Sequence, residues 1–133
     1  MDDTGLKENL ENLRHSIIRT QFNLDGENLL SLAFNRNKLK YYSTELISIS
    51  QSLSEIEDAF DENIQIPKDI NGSIIRAAQL SILFSIRRTT SDALANAKST
   101  LMQIHADINY YRSLTIALIA LIASVIGLVI NAI

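Results

Sequence analysis

From Ser113 to Ile133 the chain carries no charged side chain, and Leu, Ile and Val dominate that stretch. A helix of roughly 20 residues rises ~30 Å, the thickness of a bilayer's hydrocarbon core. Its apolarity runs round every side, and residues 1–112 are too few to wrap it fully as a core helix. The reading is a polar region, residues 1–112, followed by a transmembrane helix, residues 113–133. Tyr110, Tyr111 and Arg112 stand at the border, where amphipathic rings and then a cation suit a headgroup layer.

The small and polar residues of this stretch are not scattered. Ser113, Ala117, Ala120, Ser124, Gly127 and Asn131 follow one another at steps of four and three, which places them on one line of a helix. In lipid, helices associate through close van der Waals packing and a few hydrogen bonds, so contacts favour small residues. The line therefore reads as a packing face between copies of the chain. Asn131 adds an amide that seeks a partner near hydrocarbon. In a larger ring the same face would line a narrow pore. A similar rhythm runs upstream through Ala78, Ser81, Ser85, Arg88, Asp92, Ala95, Ser99, Met102, Ala106 and Asn109.

The polar region reads as helices. Leu6, Leu10, Leu13, Ile17, Thr20 and Leu24 form a first seam that stops at Asp25-Gly26, a turn-forming pair. Leu32, Asn35, Leu39, Tyr42, Leu46, Ile49, Leu53, Ile56 and Phe60 form a second, with the alternation of a coiled coil. Asn35 is its one polar member. It either fixes register or faces a loop. The only Pro lies in residues 63–72, NIQIPKDING, the clearest break. A third row, Leu94, Ala97, Leu101, Ile104, Ile108 and Tyr111, runs on into the apolar stretch with no interrupting Pro or Gly.

The expected fold is all-α. Helices over about 4–23, 27–62 and 73–112 make an antiparallel three-helix, coiled-coil-like stalk. Its third helix continues into the single C-terminal transmembrane helix. A bend near residue 67 sets residue 40 beside residue 94, and Arg87 or Arg88 beside Glu45. The Arg87–Asp92 stretch is polar and reads as a kink, a hinge or a polar layer. The distal loop 63–72 stands roughly 50–60 Å from the bilayer. Phe60, Asp61, Glu62, Ile64, Ile66 and Ile70 there combine acid and aliphatic groups that suit a partner protein.

Several classes are excluded. Net charge is −3, so no basic field draws nucleic acid. Cys is absent, which removes disulfides, thiolate metal sites and thiol nucleophiles. His15 has Glu11 one turn before it, and His105 has no such neighbour. Neither makes a metal site. No phosphate loop or nucleophile elbow occurs, so no catalytic group, cofactor or metal is expected. The acidic start, MDDTGLKENLENL, is no secretory signal.

These readings converge on a tail-anchored, single-pass membrane protein with its N-terminal region in the cytoplasm. Its partners are the bilayer, other copies of itself and another protein at the distal tip. Its task is structural or partner-binding. The competing class is an oligomeric pore or channel-type effector whose C-terminal helices line a pore. A third is a soluble helical protein that inserts its tail on demand.

Overall fold

The computed structural model describes residues 3–62 and 70–132. Those residues form four helices, with no strand among them: α1 (Asp3–Asp25), α2 (Leu29–Phe34), α3 (Arg36–Glu62) and α4 (Ile70–Ala132). The molecule is a helical bundle from which one long helix projects.

The first seam makes α1. Leu6, Leu10, Ile17, Thr20 and Leu24 are buried, and Leu13 packs against them partly covered. The helix closes on Gly26, whose N–H reaches the Phe22 carbonyl at 3.1 Å. The Glu27 N–H then takes the Leu24 carbonyl at 3.2 Å, a tightening common at helix ends. No described glycine has a positive φ, so the turn needs no left-handed residue.

Asn28 starts α2. Its backbone is extended and its side-chain oxygen accepts from the Leu30 N–H at 2.9 Å, an N-cap. Asn35 then ends α2 and starts α3, so the helix expected over 27–62 is in two pieces. The Asn35 N–H reaches back to the Ser31 carbonyl at 2.9 Å. Its side-chain oxygen accepts from the Lys38 N–H at 3.3 Å. A short amide side chain competes for backbone partners in this way, and here it diverts the chain. Asn35 is exposed, so the loop-facing reading holds and the register-fixing one does not.

From Leu39 onward the second seam is buried as the sequence indicates, through Tyr42, Leu46, Ile49, Leu53, Ile56 and Phe60. It packs with Leu83, Leu94, Ala97, Leu101 and Ile108 of α4 into one core. Each Leu, Ile or Phe among them contributes about 1.5–3 kcal/mol by leaving water, and Ala97 less.

The pairing register of α3 and α4 differs from expectation. Arg87 Nε meets Glu57 Oε1 at 3.0 Å, and not Glu45. Lys98 Nζ donates to Ser50 Oγ at 2.9 Å, and Arg112 Nη2 to the Ala33 carbonyl at 2.9 Å. The cause is that α4 starts early and outruns α3. Phe60, almost at the end of α3, packs edge-on against Phe84, 5.0 Å between centroids. The turns of α4 before Phe84 therefore rise past the end of α3. They run beside the start of α1, where Thr4 and Lys7 line a shallow groove with Gln79, Ile82 and Leu83. So α1 lies parallel to α4, and α3 antiparallel.

The Arg87–Asp92 stretch is a packed layer within an unbroken helix. Thr90 is fully buried, and its hydroxyl donates to the Ile86 carbonyl at 2.8 Å. Arg88 and Asp92 pair at 3.9 Å on the exposed side.

Candidate functional site

Two regions were singled out by sequence: the apolar end of α4 and the distal end of the bundle. A third emerges only from the structure, at the base of the bundle where α4 leaves it.

The core row of α4 stops at Ile108. Beyond it, from Ser113 to Ile130, every residue except Gly127 is exposed, and Gly127 is half-covered. This helix is long and apolar enough to cross a membrane. Eleven large aliphatic side chains between Leu114 and Ile130 stand bare. Leaving them in water costs on the order of 10–20 kcal/mol relative to covering them.

Along the small-residue line, Ser113, Ala117, Ala120 and Ser124 are all exposed. A Cβ placed on Gly127 would meet nothing within 4 Å. The Ser124 hydroxyl donates to the Ala120 carbonyl at 2.8 Å, so its polarity is satisfied inside its own helix. Asn131 belongs to α4, and its side chain lies outside what is described. The upstream continuation of the line, Ala78 through Asn109, is exposed at every one of its ten positions. One unpartnered row thus runs along bundle and apolar end alike.

At the distal end the structure corrects one expectation. Phe60 is 2% exposed and belongs to the core. The Arg87 guanidinium lies over its ring at 5.5 Å, a cation–π contact, and Glu57 holds that guanidinium. An aromatic ending a heptad row is drawn inward with the row, so Phe60 offers nothing to a partner. Asp61 and Glu62 close α3, and their side chains are outside the described set. Ile64 and Ile66 lie outside the described residues. Ile70 is exposed, and so are Ile74, Ile75 and Ile82 on the turns that outrun α3.

The base is built on the turn between α1 and α2. Glu27 sets both carboxylate oxygens 3.0 Å from Lys38 Nζ, and the Tyr42 hydroxyl donates to Oε1 at 3.2 Å. The hydrogen bond from Lys38 holds the Glu27 carboxyl below the ordinary value of 4.5, with Tyr42 and the Lys38 charge adding to it against partial burial. Burial first, then the bond to Glu27, raises the Tyr42 phenol above 10.0. Arg112 donates to Ala33 in the last turn of α2, where carbonyls lack helix partners and a cation suits the dipole. The sequence places Arg112 at the headgroup layer and gives no sign of its bond to α2. A glutamate at the turn, eleven residues before a lysine, was the only available sign of the Glu27–Lys38 pair.

His15 and His105 are both exposed, on separate helices. Glu11 contacts Lys7 at 3.8 Å. Among the described residues no group of three metal-ligating side chains occurs. Comparisons with protein-family models, curated proteins and solved structures returned no match.

Proposed function

We propose that this chain is an integral membrane protein held by the C-terminal part of α4. It associates with copies of itself through the small-residue line, and it serves as a structural or partner-binding membrane subunit. The observation that carries the reading is the bare helix from Ser113 to Ile130. Only lipid or other helices can cover it, and its one small-residue line is where a second helix packs closest.

The heptad rows support a stalk with coiled-coil-like packing. The bundle stands on the cytoplasmic side in this reading. Arg36, Lys38, Lys40 and Arg112 collect at the end from which the apolar helix departs, in line with the positive-inside tendency. The internally bonded Ser124 hydroxyl favours a dry packing face over a wet pore. A protein partner is sought among the exposed isoleucines of α4's first turns.

The test is the mass of the detergent-extracted complex beside a Ser124→Leu, Gly127→Leu double variant. Gly127 has empty space around it within its own chain, so a larger side chain there strains nothing internal. The expected result is a defined oligomer for the parent and a monomer for the variant. Two monomers would remove self-association from the reading. Failure of the parent to float with lipid vesicles would remove the membrane as well.

A further inference from the structure

The base of the bundle carries large apolar side chains that nothing in the described chain covers. Phe34 is 89% exposed, Phe22 76% and Leu30 64%. In α2, Leu32 is the residue that enters the core. Leu30 and Phe34, one turn apart, share the opposite side. A six-residue helix that is apolar inward and outward has two surfaces to satisfy, and the fold satisfies one.

Its position says what meets the other. The Arg112–Ala33 hydrogen bond puts Phe34 next to a carbonyl held by the last charged residue before the apolar helix. An arginine side chain reaches ~7 Å, comparable to the ~5–7 Å depth of one headgroup layer. Tyr110 and Tyr111 are exposed at the same level of α4. Arg36, Lys40 and Arg112 line a shallow groove there with Leu39, His105 and Ile108. Cations above, aromatic rings at the border and aliphatics beyond is the order of a lipid interface.

We propose that α2 forms a membrane-seating surface, in which Phe34 and Leu30 enter the interfacial layer of the leaflet that α4 enters at Ser113. This rests on the reading of α4's end as a membrane span. The seat fixes the bundle against the bilayer at a second point. Arg112 then has two tasks: it holds α2 to α4 and marks the depth at which both meet lipid.

The chain contains no Trp, so a single introduced Trp is the sole indole reporter. Phe34→Trp, Val125→Trp and Ile82→Trp variants of the full chain go into phosphatidylcholine vesicles, one set brominated near the top of the acyl chains to report on position 34 and another near their ends to report on position 125. Phe34 and Ile82 are exposed, so the exchange disturbs no core. The expected result is blue-shifted emission and about twofold or greater quenching at positions 34 and 125, with position 82 unaffected. Quenching at 125 but not at 34 overturns the seat and leaves the span. A blue-shifted but unquenched Trp at 34 also overturns it, because protein then covers the residue. No quenching at 125 removes the span and the seat together.

Discussion

Glu27 and Lys38 face each other across the turn that joins the first helix to the rest of the bundle, with both carboxylate oxygens 3.0 Å from one ammonium. Tyr42 closes the cluster from the next turn of α3. The three residues tie the start of α3 to the end of α1 and bracket the whole of α2. Their ionisation therefore bears on how the base holds together.

The sign of the pH effect follows from the two shifts. The Glu27 carboxyl is lowered below 4.5, so its contribution is present above 4.5 and is lost as pH falls through the folded value. The Tyr42 phenol is raised above 10.0, so its contribution is present below 10.0 and is lost as pH rises through its folded value. Unfolding in detergent, followed by circular dichroism, should show Glu27→Gln differing from the parent at neutral pH and converging with it in acid. Tyr42→Phe should converge in alkali. A parent-minus-variant difference that stays flat with pH would refute the linkage.

The two buried threonines should respond in opposite directions to the same change. Thr20 Oγ1 has no hydrogen-bond partner among the described residues, whereas Thr90 Oγ1 donates to Ile86 at 2.8 Å. Valine keeps the shape and removes the hydroxyl. Thr20→Val is expected to stabilise by about 1 kcal/mol or more, and Thr90→Val to destabilise by about 0.5–1.5 kcal/mol. Denaturant midpoints decide it, and equal losses at both sites would count against the difference in satisfaction.

Asn35 separates two readings of the second seam. As the cap of α3, its replacement by Ala should cost about 1 kcal/mol. Its replacement by Leu should also destabilise, because the position is exposed and the cap is gone. A stabilising Asn35→Leu variant would mean that the heptad row runs through the break.

Phe60 and Ile70 were grouped by sequence and are separated by structure. Phe60→Ala should cost about 3–5 kcal/mol, since it empties a core site beside Phe84 and Arg87. Ile70→Ala should change stability by less than about 0.5 kcal/mol. Thermal unfolding of the two variants is sufficient, and similar losses would place Phe60 at the surface after all.

The rows at steps of three and four were legible because each buried stripe repeats a simple apolar choice. They marked nearly every core position of α1 and α3 and the continuity of α4. What they could not carry is how far one helix slides along another. That offset depends on where Phe60 meets Phe84 and where Arg87 meets Glu57, contacts between residues far apart in sequence. Asn35 was visible as an exception, but its capping geometry depends on the backbone around Ser31 and Lys38. The base went unread because Glu27, Phe22 and Phe34 follow no period. Only the turn brings Glu27 to Lys38 and carries Phe34 to the level of Arg112.

The absence of any joint in α4 has a mechanical consequence. Its 63 residues make one rod of ~95 Å, of which about two thirds lies before Ser113. A tilt of about 20° at the bilayer, ordinary for a membrane helix, swings the far end sideways by ~20 Å. With the proposed span in a bilayer, the rod is a lever whose short arm sits among lipids. A change in bilayer thickness too small to unfold anything moves the isoleucines at its other end by the width of a helix pair.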